Sequence, residues 1–317
     1  MKLAFVFPGQ GSQAVGMGQE LAEQFASARA VLDEVDSALG QDLSGLMANG
    51  PIEDLTLTEN AQPALMAASL AVMAVLRDEF DVNVNAAEFV AGHSLGEYSA
   101  LAAAGALSVT DAAKLLRLRG QAMQKAVPVG AGAMAALLGA DEELAAKAVN
   151  SGAHLGPCQI ANDNAPGQIV ISGAKPAVEA AIATATDLGL KKAMLLPVSA
   201  PFHCEMMQPA ADAMAEALEA TTINMPVVPV VANVTARPTQ DTEIIRQQLV
   251  EQVTGRVRWR ESVMWMVEEG GIDTLAEAGT GKVLTTMLKR TTKDAKGLAL
   301  NSADDLEAFA AALKENA

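Results

Sequence analysis

Gly92-His93-Ser94-Leu95-Gly96 sets a serine between two glycines, with one residue on each side. This is the spacing of a nucleophile elbow. Such a serine can attack a carbonyl carbon if it sits on a sharp strand-to-helix turn, in strained backbone geometry, with its Oγ exposed. The glycines leave room for strand and helix to approach closely. The following helix aims its N-terminal N–H groups and its dipole at a developing oxyanion, and the N–H of Leu95 is the natural first donor. The pentapeptide alone is weak, because Gly and Ser are common. The apolar run before it and the helical stretch after it give it weight.

A serine hydroxyl needs a base, and the chain has three histidines, His93, His154 and His203. His93 adjoins the serine, where successive side chains diverge, so packing or hydrogen bonding beneath the elbow suits it better than proton transfer. His154 lies in a Gly-rich stretch and reads as a surface residue. His203 follows an expected strand and the loop Pro197-Val198-Ser199-Ala200-Pro201-Phe202, and precedes an expected helix. It therefore sits at the carboxyl end of a strand, where open α/β sheets place ligands. By elimination His203 is the best candidate for the base.

The elements that must position these groups follow from hydrophobic periodicity. Short apolar runs at 3–7 and 88–92 read as strands buried on both faces. Helical spacing covers 19–39, 60–77, 97–104 and 111–125, the last opened by a capping signal at Thr110 or Asp111. After a Pro/Gly linker at 128–132 the pattern becomes β-α-β-β-α-β. Its strands are expected at 133–138, 157–161, 168–172 and 191–196, and its helices at 141–150 and 175–187. A turn-rich loop is expected at 162–167. That order is the signature of a ferredoxin-like unit. The remainder returns to α/β, with strands expected at 227–233 and 272–276 and helices at 206–220, 241–253, 261–269 and 282–290. The expected fold is therefore an α/β-hydrolase-like large domain with a central parallel sheet, formed by 1–127 and 198–317. A ferredoxin-like small domain at 128–197 interrupts it, and the site lies in the gorge between them.

Composition narrows the function. In 317 residues, half are hydrophobic and 3% aromatic, which suits Ala-rich helices packed closely on a sheet. A formal charge of −16 argues against general nucleic-acid binding, which needs basic density. Any anion site must then be built locally from a few Arg or Lys residues and backbone N–H groups. Cys158 and Cys204 make no metal-ligand spacing and read as free thiols in a reducing compartment. No metal or cofactor is expected. The apolar run at the N-terminus is too short for a signal peptide and ends at Pro8. No uninterrupted apolar stretch suits a membrane helix, so a cytoplasmic location is expected.

Taken together, Phe7-Pro8-Gly9-Gln10-Gly11-Ser12-Gln13, Gly92-His93-Ser94-Leu95-Gly96-Glu97-Tyr98 and Ser199-Ala200-Pro201-Phe202-His203 resemble the malonyl-CoA:acyl carrier protein transacylases of type II fatty acid synthesis. The acyltransferase domains of polyketide synthases are close relatives. The resemblance runs from Phe5 to about Arg290. It implies ping-pong transfer of a malonyl group from malonyl-CoA to the phosphopantetheine thiol of acyl carrier protein, through an acyl-enzyme on Ser94 with His203 as base. In this family a backbone carbonyl orients the histidine, and the matching residue is Gln252. The backbone N–H of Gln10 completes the oxyanion hole with that of Leu95. Arg119, in Leu118-Arg119-Gly120, matches the arginine that pairs bidentately with the malonyl carboxylate, a geometry suited to a planar guanidinium. Arg117 is two residues away on the helix and faces nearly the opposite side. Phe202 matches the aromatic of malonyl-selective members, where methylmalonyl-selective relatives tend to carry Ser. Gln62 and Asn162 match polar positions near the substrate.

The resemblance also implies a monomer and acidic or phosphate-bearing partners. Lys191-Lys192, the Arg256-Arg258-Arg260 cluster, Lys282, Lys289 and Arg290 are the local basic groups that would steer them. Two other readings remain open: an acyltransferase or thioester hydrolase of a polyketide pathway, and a non-catalytic carrier-docking module. A hydrolase for neutral acyl chains would not need a buried cation, and the Ser, His and Arg together argue against a dead site.

Overall fold

A computed structural model of the chain describes residues 1–315. Two sheets organise it. The central sheet has six strands in the order Lys296–Leu300, Thr274–Ala278, Leu3–Phe7, Phe89–Gly92, Val230–Val231 and Pro238–Thr239. All pairs are parallel except the last, which is antiparallel. Leu3–Phe7 lies near its middle and is buried throughout, as a continuous apolar run requires. The two-residue alternation of the strand divides its side chains. Leu3, Phe5 and Phe7 join the core under the helices Thr58–Phe80, Val109–Ala126 and Gln208–Glu219. Ala4 and Val6 face Trp259, Met266 and Leu284 on the other side.

The second sheet is antiparallel, in the order Cys158–Ala165, Gln168–Ala174, Gly132–Leu138 and Lys192–Leu195. The helices Glu142–Gly152 and Lys175–Asp187 pack through Ala145, Ala148, Val178 and Ala181 onto Ala135, Leu137, Ile169 and Ile171. This is the expected ferredoxin-like arrangement. It is stitched to the rest of the chain along the strand Cys158–Ala165. The Asp163 N–H donates to Val257 O at 2.9 Å, and the Val257 N–H donates to Ala161 O at 2.8 Å. Asp163, 1% exposed, also receives Arg256 Nη2 at 2.9 Å and Arg260 Nη2 at 2.7 Å.

Several boundaries differ from those expected, each for a physical reason. The 162–167 segment is not a loop. The strand Cys158–Ala165 runs through it with two irregularities in register, and the turn is only Pro166-Gly167, with Gly167 at φ 72°. Polar Asn162, Asp163 and Asn164 stay in the strand because each has a tertiary partner or a cavity face, which overrides their turn preference. The strand expected at 227–233 pairs over Val230–Val231 alone, since Pro226 and Pro229 have no N–H to donate. The helix expected at 19–39 is broken by extended Phe25, whose ring packs edge-on against Phe80. The cap of Val109–Ala126 is Ser108, not Thr110 or Asp111; its Oγ accepts from the Asp111 N–H at 3.0 Å. The edge strand Lys296–Leu300 and the helix Ala303–Glu315 were not anticipated.

Close approach explains the glycines of the motifs. A Cβ on Gly96 would lie 2.3 Å from Phe7 O, and one on Gly92 would lie 1.9 Å from Gly96 O. At Gly120 a Cβ would lie 2.6 Å from Glu59 Cα, where two long helices cross. Backbone cannot yield as a flexible side chain can, so Gly120→Ala is expected to destabilise the fold by about 1–3 kcal/mol, as overpacking does. Urea unfolding of the two proteins checks this, and equal midpoints would mean the crossing relaxes freely.

Candidate active site

Ser94 sits between Phe89–Gly92 and the helix Gly96–Ala103 with φ 54°, in the left-handed region that non-glycine residues rarely occupy. Asn233 holds it there. Its Oδ1 accepts the Ser94 N–H at 2.7 Å, and its Nδ2 donates to Gly92 O at 2.6 Å. A strained turn persists only when its surroundings over-determine it, and these two bonds bracket the strained residue.

His203 is 109 positions away in sequence, and its Nε2 lies 2.8 Å from Ser94 Oγ. It is buried and also at positive φ, 58°. Its Nδ1 faces two carbonyl oxygens, Gln252 O at 2.9 Å and Gly255 O at 3.2 Å. Carbonyls only accept, so Nδ1 carries the proton and Nε2 presents a lone pair to the Ser94 hydroxyl. Burial and the nearby Arg119 charge push the imidazole pKa down to about 3, against the two carbonyl bonds that favour the charged form. The ring is thus neutral and proton-accepting through the neutral range.

Arg119 completes the arrangement from the helix Val109–Ala126. It is 1% exposed. Its Nη1 donates to Gln62 Oε1 at 2.7 Å, and its Nη2 to Gln252 Oε1 at 2.9 Å and to Ser94 Oγ at 3.1 Å. All three acceptors are neutral, and Arg119 joins none of the ion pairs among the described residues. Its Nε meets no hydrogen-bond geometry among the described residues, the Tyr98 ring lies 5.8 Å from the guanidinium carbon, and burial lowers its pKa. A buried cation without an anion is costly; this one opens on a cavity of about 380 Å³. Arg117 instead reaches Gln41, away from the cleft.

The cavity is lined from both sheets: Gln10, Gln62, Ser94, Leu95, Arg119, Phe202 and His203 on one side, and Met134, Asn162, Asn164 and Val170 on the other. The N–H groups of Gln10 and Leu95 donate to no protein group among the described residues. The Gln10 loop is pinned by Thr58 Oγ1, which donates to Gln10 Oε1 at 3.0 Å, and Gly9 abuts His93. His93 is no base for Ser94: its Nε2 is 2.7 Å from Asn164 Oδ1, and its ring packs on Trp259. His154 is exposed.

Three polar residues in the site were not singled out from sequence. Glu97 is buried beneath the elbow, Asn233 clamps it, and Asn164 holds His93. Glu97 lies one residue past the pentapeptide, a usable signal. Asn233 ends an apolar run, and its partners at the elbow, Gly92, Ser94 and Glu97, are 136 to 141 residues distant in sequence, so no local pattern marks it. The expected Arg256-Arg258-Arg260 rim is corrected. These arginines are engaged by Glu142, Asp163 and Glu261 and offer no free positive charge. Lys191, Lys192, Lys282, Lys289 and Arg290 are exposed.

A serine on a tight strand-to-helix turn, a neutral histidine at its hydroxyl and unengaged N–H groups beside it define an acyl-transfer site. The chain belongs to the acyl transferase domain family, which matches residues 4–310. It is 45% identical to the malonyl CoA-acyl carrier protein transacylase of Bacillus subtilis over 315 residues, covering 99% of this chain and 98% of that one. The crystal structure of acyl-carrier-protein-S-malonyltransferase from Bartonella henselae superposes with a TM-score of 0.96 at 54% identity, over 99% of this chain and 100% of the other. A malonyl-transacylase in complex with a type II polyketide synthase acyl-carrier protein superposes at 0.94 and 41% identity, over the full length of both chains. No described helix is long and apolar enough to cross a membrane.

The depressed His203 pKa has a thermodynamic sign. Below the ordinary value of 6.5 the unfolded chain takes up a proton that the native site refuses down to about 3, so native stability falls as pH drops through that window. His203→Asn tolerates positive φ and removes this proton, so its stability should fall less steeply, by about 1.4 kcal/mol per pH unit. Unfolding curves across that window test this, and parallel slopes for the two proteins would contradict it.

Proposed function

We propose that this chain transfers the malonyl group of malonyl-CoA to the phosphopantetheine thiol of acyl carrier protein, through a malonyl ester on Ser94. The observation that carries the reading is the buried Arg119 guanidinium, which lacks a carboxylate and sits 3.1 Å from the Ser94 hydroxyl. A free carboxylate on the acyl group is the anion that such a site would take.

In the first half-reaction Ser94 Oγ attacks the thioester carbon and its proton passes to His203 Nε2. The carbonyl oxygen becomes an oxyanion facing the N–H groups of Gln10 and Leu95, each such donor contributing roughly 3 kcal/mol. Collapse breaks the C–S bond, and His203 returns the proton to the departing coenzyme A sulfur. In the second half-reaction the carrier thiol gives its proton to His203 and attacks the ester carbon. Ser94 leaves and recovers the proton. The Gln252 carbonyl holds His203 in the required tautomer. Phe202 limits space beside the acyl α-carbon, while Gln62 and Asn162 line the acyl chamber. No cofactor enters this chemistry. We place the division between the two units at 1–127 with 198–317 and at 128–197. From the family resemblance we read the working unit as a monomer, and from the sequence the compartment as the cytoplasm. Lys191, Lys192, Lys282, Lys289 and Arg290 are the exposed basic groups for an acidic carrier. The likeness to a complexed polyketide-pathway transacylase supports a second carrier source for the same reaction; a thioester hydrolase for neutral acyl chains has no use for Arg119.

Incubation with malonyl-CoA should add one malonyl group to Ser94, detectable by peptide mass, and addition of the carrier should discharge it. Arg119→Ala should lower malonyl kcat/KM by at least about 30-fold, the loss typical of a buried charged pair, while acetyl transfer is spared or raised. Equal losses for both acyl groups would remove the carboxylate role, and discharge to water instead of the carrier would favour a hydrolase.

A further inference from the structure

Gln252 touches His203, Arg119 and Ser94 by different atoms. Its backbone carbonyl accepts from His203 Nδ1 at 2.9 Å. Its side-chain Oε1 accepts from Arg119 Nη2 at 2.9 Å, and its Nε2 donates to Ser94 O at 3.0 Å. A carboxamide has an oxygen end and a nitrogen end of nearly the same size, so packing alone does not select between its two orientations. The flipped orientation would set an NH2 against the Arg119 guanidinium, donor against donor. Ser94 O helps fix the amide through one N–H, and a second acceptor must take the other.

Glu97 is the group placed to do so. It is 3% exposed and its Oε2 accepts from Gln252 Nε2 at 2.8 Å. The same oxygen accepts the Asn233 N–H at 2.9 Å, which anchors the carboxyl to the residue that clamps Ser94. Because Oε2 already accepts the Asn233 N–H, it is the accepting oxygen of the Glu97 carboxyl in either protonation state, so it rejects the oxygen end of the amide and turns Oε1 toward Arg119. No ion pair joins Glu97 to Arg119, and Glu97 does not contact Ser94 Oγ or line the cavity. Its hydrogen-bonded route to Arg119 runs through Gln252, beside a direct charge–charge attraction between the two buried groups.

We infer that Glu97 is a positioning residue for the acyl-group carboxylate: by accepting from Gln252 Nε2 it orients the carboxamide whose oxygen holds Arg119 in the cleft. This rests on the malonyl-transfer reading and adds a determinant of acyl selectivity that lies outside the acyl chamber. The two donors converge on one oxygen, so a neutral amide oxygen at the same place suffices.

The test is the ratio of malonyl-CoA to acetyl-CoA acylation of Ser94, followed as coenzyme A release in single turnovers. Glu97→Met keeps the volume and removes the acceptor; the malonyl-to-acetyl ratio should fall about tenfold or more, mainly through the malonyl KM, since uniform binding is what is lost. Glu97→Gln should restore the ratio to within about threefold of wild type, because its oxygen accepts the same two bonds. Gln252→Met keeps the carbonyl on His203 and deletes the carboxamide. It should lower the ratio as Glu97→Met does, and it decides the matter if Glu97→Met does not fold. A purely structural role would depress both acyl groups together and leave the ratio unchanged in either methionine variant, and that result overturns the inference. Failure of wild-type protein to acylate at all with malonyl-CoA would instead overturn the underlying reading of function.

Discussion

A guanidinium held in the interior without a carboxylate is the constraint around which the site is organised. Arg119 has only neutral oxygens to donate to, and each must be delivered by a different part of the chain: Gln62 from the helix Thr58–Phe80, Ser94 from the elbow, Gln252 from the helix Thr242–Thr254. The close helix crossing at Gly120 sets Gln62 beside Arg119. Repulsion from this charge adds to the burial that keeps His203 neutral, while burial pushes Glu97 up to about 7 against the Asn233 and Gln252 hydrogen bonds and the Arg119 charge. An incoming anion would relieve the first effect, raising the basicity of His203 when a substrate carboxylate is in place.

The cleft is as much a property of the two sheets' junction as of either sheet. Asp163 ties the strand Cys158–Ala165 to Arg256 and Arg260, while its neighbours Asn162 and Asn164 face the cavity. Alternation along the strand sends the charged residue to the junction and the amides to the site. The arginines that would otherwise make a positive rim are used to fasten one unit to the other.

Local patterns in the sequence carried much of this. The elbow at Ser94, the strand before it and the helix after it follow from spacing and periodicity. His203 emerged by elimination because only three histidines exist. The resemblance of three motifs supplied Gln10, Arg119, Gln62, Phe202, Asn162 and Gln252, all of which lie in or beside the cleft. What stayed hidden depends on long-range partners. The Asn162-Asp163-Asn164 run looks like a turn until Val257 and two arginines are set against it. Asn233 and Glu97 look like ordinary polar residues until the chain brings Gln252 between them. The basic cluster at 256–260 looks free until its acids arrive from remote positions. Hydrophobic period reports which face is buried; it is silent on which polar groups meet there.

Both reacting residues, Ser94 and His203, have backbone torsions that a side chain resists. Each costs on the order of 1–3 kcal/mol, held by the rest of the fold. Activity and robustness are therefore opposed at the two positions where chemistry occurs. Glycine at either place would relax the chain while abolishing turnover, whereas alanine would keep the torsional burden and forfeit the function. A lineage of this chain freed from its chemical task would be expected to drift toward glycine or asparagine at these sites, gaining heat tolerance as it lost its purpose.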